Sequence, residues 1–419
     1  MRTYKVSRFN MLVPMPTVGT MVYNTYSLKY RVLSKDKFSE LSKLTKKVPL
    51  HESDIPDDYI KAGFFVPSDI DEIQRLKDDI KLNWEKADFM DLAIFTTLAC
   101  NYRCLYCFEK DHLCNTEHMT KETADEILSF IKRRYDEHPF KNNLRIKWFG
   151  GEPLLNVPII RHISKELKSN NINYSARMYT NGRLLTRELA SELKDLGVTD
   201  NVVIPIDGLA STYAKLKQCK EEDFYTVVKN IKDCEDLLKI QIHINISEDS
   251  KNDSKELYRM LRQDYKIKSQ ITYSPVSPLN TNKIDSYNNI SAEQYINLKN
   301  KSTGIKRASG CEARNPNYYV IGPSGEIYIC EHLIGQEQYI VDNIKSINDR
   351  IDKKGTFWDS DRIIEDCKDC PILPICLGEC STKRYIDKLD CNKELKIIEA
   401  GRSMMALLHK KRTQKKESK

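Results

Sequence analysis

Apolar and polar residues recur along this chain with two different periods, and the places where the period changes divide it into three segments. In residues 1–88, short runs at Tyr4–Val13, Thr20–Tyr23 and Lys29–Leu33 read as extended strands. A helical spacing follows over Asp36–Lys46, then a short helix over Ile55–Ala62 closed by Gly63, a strand over Phe64–Val66 and a longer helix over Ser68–Glu85. Strands and small helices in this order predict a winged-helix-like unit. Residues 89–300 alternate apolar strands with amphipathic helices. Strands are predicted at Leu92–Thr97, Leu144–Phe149, Tyr174–Tyr179, Val202–Ile206, Ile240–Ile246 and Gln270–Val276. Helices are predicted between them at Lys121–Glu137, Val157–Ser169, Thr186–Asp195 and Tyr225–Leu238. Six such repeats predict an α/β fold with a parallel sheet, whose site lies at the strand C-terminal ends. Residues 301–400 are cysteine-rich, and 401–419 form a basic tail. No internal repeat occurs, and the polar stretch Asn280–Asn289 is the one linker-like run.

Composition narrows the setting more than the function. The 419 residues are 40% apolar and 30% charged, which suits a globular chain with ample core. No window approaches the roughly 18 consecutive apolar residues of a membrane span. The N-terminus lacks an apolar signal core, so a cytoplasmic location is expected. In that compartment thirteen cysteines argue for metal binding rather than disulfides. The net charge of +7, from 67 basic and 60 acidic residues, arises partly in the tail from His409 to Lys419 and decides nothing about partners.

Three cysteines fall within eight residues straight after the first strand of the second segment: Cys100-x3-Cys104-x2-Cys107. A structural zinc site wants four closed ligands, usually two separated pairs. An iron–sulfur cubane can be held by three thiolates with one iron left open. At this spacing the chain resembles the radical S-adenosylmethionine (radical SAM) enzymes. The resemblance implies a partial (β/α)6 barrel and a [4Fe–4S] cluster on Cys100, Cys104 and Cys107. Its open iron would chelate SAM and yield a 5′-deoxyadenosyl radical.

Other residues extend that resemblance. Gly150-Gly151-Glu152 ends strand two, where two glycines let backbone approach a ligand and a carboxylate offers an acceptor for an ammonium. It is similar to the family motif that holds the SAM amino group. Thr180-Asn181-Gly182 and Asp207-Gly208 are ordinary turn signals by themselves. Their positions resemble the family's ribose- and carboxylate-binding positions, which makes Thr180, Asn181 and Asp207 expected SAM contacts. Phe108 resembles the aromatic whose backbone reads the adenine edge, while Tyr102 and Tyr106 are expected to shield the cluster from water.

Seven further cysteines lie beyond residue 300. Cys311-x13-Gly325-x4-Cys330, then Cys367-x2-Cys370-x5-Cys376-x3-Cys380, then Cys391 resemble the SPASM extension. A zinc ribbon also uses C-x2-C pairs but would leave the triplet and the barrel unaccounted for. The resemblance implies two auxiliary [4Fe–4S] clusters, one on Cys311, Cys330 and Cys380, the other on Cys367, Cys370, Cys376 and Cys391. The first has three ligands and could bind a substrate thiolate at an open iron, unless His332, Cys219, Cys234 or Cys114 closes it. Related sulfatase maturases carry an aspartate base just after the second of these cysteines, and Glu331 takes that place as a candidate catalytic residue.

The expected function is that of a radical SAM maturase resembling the thioether-forming sactipeptide and ranthipeptide enzymes. It would join cysteine sulfur to carbon in a ribosomally made precursor peptide, using SAM, three [4Fe–4S] clusters and a reductant such as flavodoxin or ferredoxin. The 1–88 segment is similar to elements that bind a leader peptide as an added strand. Formylglycine generation, carbon–carbon crosslinking and epimerisation share the fold. A non-enzymatic zinc protein that binds nucleic acid is the alternative of another class, but no helix carries the dense basic stripe it would want. Neither a nucleic acid nor a membrane is an expected partner.

Overall fold

The structure is a computed structural model, and it describes residues 2–15, 18–85, 89–109, 116–137, 143–247, 249–275, 311–347, 358–378 and 380–388, with scattered positions from 351 to 404. Cys114, the stretch Asn280–Asn289 and, but for Gly401 and Met404, the basic tail lie outside the described residues. Two compact units emerge: residues 1–86, 290–314 and 353–419 form one, and 87–289 with 315–352 form the other.

In the first unit, β2 (Asn10–Met15), β3 (Gly19–Asn24) and β4 (Lys29–Leu33) form an antiparallel sheet in chain order, while β1 (Thr3–Val6) pairs with both β5 (Leu50–His51) and β6 (Phe65–Pro67). The predicted first strand is two strands, broken at Ser7–Phe9, where the Ser7 hydroxyl is bonded to the Glu72 carboxylate at 2.5 Å instead of extending a ladder. Helix α1 (Lys35–Leu44) starts on a Ser34 cap, α2 (Asp57–Ala62) stops where Gly63 turns to φ +79, and α3 is Glu72–Glu85. Phe9, Ile73 and Leu76 pack with Ile364, Leu373 and Leu377, and Met11, Met21 and Tyr23 pack with Ile372. The N-terminal strands and the cysteine-bearing segment 360–377 therefore share one core.

The second unit is built on β7 (Met90–Phe95), β8 (Leu144–Phe149), β9 (Tyr174–Tyr179), β10 (Val202–Pro205), β11 (Ile240–Ile246) and β12 (Gln270–Pro275), parallel neighbours in that sequence. Helices α4 (Lys121–Glu137), α5 (Val157–Ser169) and α6 (Arg187–Asp195) fall where the pattern put them. Helix α8 (Glu221–Cys234) begins earlier than predicted because the Lys220 amide donates to Asp223 at 3.1 Å and closes its first turn. Two helices were missed, α7 (Ala210–Lys217) and α9 (Ser254–Arg259), both too short to show a period. Beyond β7 the same sheet continues with β13 (Tyr318–Ile321), parallel, and with antiparallel β14 (Glu326–Tyr328) and β15 (Asp342–Asn343).

Period-2 alternation makes the two faces of this sheet chemically different. Leu92, Ile94, Ile146, Trp148, Ala176, Met178, Ile204 and Ile242 point into the helical layer and are fully buried. Arg177, Tyr179, Pro205, His243 and Asn245 take the other face and remain half-buried. One face is core; on the other, Asp91, Ala93, Phe95 and Lys147 are buried too, and the polar half-buried positions gather on β9 and β11.

Candidate active site

The loop 96–109 leaves β7 carrying Cys100, Cys104 and Cys107, and three neighbouring elements fasten it. From the end of β8, the Gly151 and Glu152 amides donate to Thr97 O and Ala99 O at 3.0 and 2.9 Å. From the end of β9, the Asn181 side chain donates to Asn101 at 2.7 Å. From the C-terminus of α7, the Lys217 and Leu216 carbonyls accept from the Arg103 and Leu105 amides at 3.2 and 2.9 Å. Glycine is required at the first of these contacts. A Cβ at Gly150, whose φ is +153, would stand 2.6 Å from Thr97 O, and one at Gly151 would stand 2.5 Å from Ala99 O.

The carboxylates expected to meet SAM are bonded within the protein. Glu152 is fully buried and accepts from Leu154 N at 3.0 Å, Thr180 Oγ1 at 2.7 Å and Asn181 N at 2.8 Å. Burial pushes its pKa up against those three donors. Its carboxylate ties the end of β8 to the end of β9. Asp207, also fully buried, accepts from Asn245 N at 3.0 Å, from the Tyr106 hydroxyl and from Lys217 Nζ at 2.9 Å. Burial alone would push Lys217 down, yet the charge of Asp207, with Tyr106 and Cys104, holds it well above the usual lysine range. Sequence reasoning missed Lys217 because α7 itself was missed. Tyr106, read as a water shield, is in addition the link between the cysteine loop and this buried pair.

Burial pushes the Cys100 and Cys107 thiols up to about 12, and Cys104 up as well, with Lys217 opposing. Three half-buried thiols that resist ionisation fit a cationic cluster, which would stabilise the thiolates it binds. Among the described residues no three His, Cys, Asp or Glu side chains converge as a single metal ion requires.

Other groups gather at the strand C-termini. Phe95, Phe149 and Tyr179, the last residues of β7, β8 and β9, stack with centroids 5.0 and 4.4 Å apart. Phe108 meets His332 edge-on at 4.8 Å. Glu331 follows Cys330 in a short turn and pairs with Lys147 Nζ of β8 at 3.1 Å, while the Tyr318 hydroxyl lies 3.4 Å from that nitrogen. Burial would push the Glu331 carboxyl up, but Lys147 and Tyr318 hold it below the usual range, as a carboxylate. Cys219 is half-buried near Cys104 and Cys234 is buried against Leu185 O, the latter an ordinary core position. The cysteines expected to hold the first auxiliary cluster are divided between the units, with Cys311 and Cys380 in the first and Cys330 in the second. Cys367, Cys370, Cys376 and Cys391 all belong to the first.

Residues 94–261 match the profile of the radical SAM superfamily. The radical SAM cyclopropyl synthase TigE of Paramaledivibacter caminithermalis is 26% identical over 190 residues, 41% of this chain and 39% of that protein. A GTP 3′,8-cyclase of Clostridium perfringens is 28% identical over 205 residues, 46% of this chain and 57% of that one. The chain spans about two fifths of the length of the first curated relatives it matches. Among solved structures, native anSMEcpe with bound AdoMet superposes with a TM-score of 0.58 at 16% identity, over 78% of this chain and all of that one. The same protein with AdoMet and the Cp18Cys peptide gives 0.56. These likenesses establish a radical SAM α/β fold with a largely parallel central sheet. Such a domain implies SAM and a [4Fe–4S] cluster, and Cys100, Cys104 and Cys107 are the residues that would hold that cluster. The match to a radical SAM domain thus falls on residues 94–261, the stretch that holds the cysteine triplet and the first five parallel strands' site-facing ends.

Proposed function

We propose that this enzyme is a radical SAM peptide maturase that crosslinks a ribosomally made peptide, joining a cysteine sulfur to a carbon. The observation that carries this reading is the placement of the cysteine loop at the C-terminal ends of the parallel strands, fastened there to the ends of β8, β9 and α7. Bound there, the cluster and SAM supply a 5′-deoxyadenosyl radical; the protein's own groups bind, orient and exclude water. Gly150 and Gly151 present bare backbone to the cofactor, with Thr180, Asn181 and Phe108 around it. Glu152 and Asp207 act through their neighbours by fixing the loop. Arg177, Tyr179, His243 and Asn245 line the face on which a peptide would lie. A fold neighbour that holds AdoMet together with a peptide supports this use of the cleft. The seven cysteines from Cys311 to Cys391 would hold two auxiliary clusters in a SPASM-like segment, the 1–88 segment would receive a leader, and flavodoxin or ferredoxin would serve as reductant in the cytoplasm.

A second reading, oxidation of a peptide side chain to formylglycine, is favoured by one feature. Glu331 is a half-buried carboxylate held ionised by Lys147, as a base would need to be. Anaerobic incubation of reconstituted enzyme with reductant, SAM and a cysteine-containing precursor peptide separates the two by mass spectrometry. Loss of two hydrogens per crosslink, with the thiol closed to alkylation, is the expected result. Replacement of the thiol by an aldehyde would select the second reading, and cleaved SAM with an unchanged peptide would reject both for that peptide.

A further inference from the structure

The sulfurs of the first unit lie among fixed cations. Arg384 Nη1 donates to Cys367 Sγ at 2.8 Å, and the Arg384 amide donates to Cys380 O at 3.1 Å. Arg314, 8% exposed, is held by the Leu377 carbonyl, and its charge acts on Cys311, Cys376 and Cys367. Lys396 Nζ reaches Cys391 Sγ at 3.3 Å, and the charge of Lys393 acts on Cys370. The opposing carboxylate is Asp366, 3.8 Å from Arg384 Nη2 with its side chain 40% exposed, so water screens it more than the sulfur contact. The triplet has the reverse surroundings. Cys100 lies near the fully buried Glu152, and Arg103 Nη1 is spent on the Cys100 and Tyr102 carbonyls at 2.5 and 2.8 Å. The cation acting on Cys104 is paired with Asp207, and burial pushes the neighbouring Glu109 carboxyl up to about 8.

An iron–sulfur cluster gains one negative charge when it is reduced. Hydrogen bonds to its sulfurs and nearby fixed cations stabilise that state and raise its reduction potential, whereas buried carboxylates lower it. We propose that Arg384 and Arg314 are potential-setting residues that place a cluster on Cys367, Cys370, Cys376 and Cys391 above the cluster of the triplet, so that it takes up an electron first. This rests on the reading that those four cysteines hold a closed [4Fe–4S] cluster. The step is one electron onto the cluster, supplied in the test by dithionite, with no bond made or broken.

The test is an EPR-monitored redox titration of the full chain, anaerobically reconstituted, beside its C100A/C104A/C107A form, which isolates the auxiliary signals. In native protein the signals retained by that form should appear at higher potential than the signal it loses. Arg384→Gln, which keeps an N–H donor but no charge, should weaken reduction about tenfold, about 59 mV for one electron. Arg384→Lys should stay near native. Lys396→Gln, at a half-buried position, should move the same signal in the same direction by less. An Arg384→Gln or Lys396→Gln midpoint equal to native, with iron content unchanged, would overturn the tuning role while leaving the cluster in place. Absence of all iron from the C100A/C104A/C107A form would overturn the cluster reading itself.

Discussion

The two cysteine-bearing regions invite comparison because they differ in everything but their sulfurs. The triplet sits on a loop fastened to the ends of β8, β9 and α7, where burial makes its thiols harder to ionise. The C-terminal set sits on short turns among Arg314, Arg384, Lys393 and Lys396. An open cluster that must place SAM needs a loop held from several sides, whereas a closed cluster is fixed by its own four ligands and needs chiefly the right charge around it. Under the proposed assignment of clusters, the difference in scaffolding would follow from that difference in task.

The sharpest way to break the comparison is to remove one sulfur from each region. Cys104→Ala should abolish SAM cleavage and the iron of the triplet, while Cys367→Ala should lose auxiliary iron and still cleave SAM; iron analysis with deoxyadenosine chromatography reads both. Next in size is Lys217→Met, which leaves Asp207 as an uncompensated buried charge at about 3–5 kcal/mol. Thermal melts should show a large loss that Lys217→Met with Asp207→Asn partly restores. A smaller loss, about 1–3 kcal/mol, is expected for Gly150→Ala from its positive φ, before the close approach to Thr97 O is added. That variant should bind less iron on the triplet and an unaltered amount elsewhere. The smallest effect is pH dependence from His243, whose pKa burial lowers. The unfolded chain takes its proton near pH 6.5 while the folded chain refuses it, so stability should fall as pH drops below about 6.5. His243→Gln should flatten the melting temperature across that range.

The parallel sheet was legible because its strands show either a short apolar run, Leu92–Phe95, or a strict apolar alternation, Ile240–Ile246, and its helices are long enough to show a period. The cysteine triplet was legible as a spacing, and the structure puts it on the loop that leaves β7. What escaped was short or reciprocal. Helix α7 has eight residues, and β13 to β15 have four, three and two, below the length at which periodicity speaks. The role of Glu152 could not be told from spacing, since a carboxylate beside two glycines suits an ammonium as well as it suits Thr180 and Asn181. The same holds for Asp207, whose partners Tyr106, Lys217 and Asn245 come from three separate stretches of chain. The shared core of residues 9–26 and 360–377 is a contact between distant stretches that no local pattern records.

The most direct test of the account is the yield of 5′-deoxyadenosine and of modified peptide, measured together in three proteins under anaerobic turnover. Native enzyme should form both, Cys367→Ala should form deoxyadenosine with little modified peptide, and Cys104→Ala should form neither. Full peptide modification by Cys367→Ala, or deoxyadenosine from Cys104→Ala, would contradict the division of labour between the two regions.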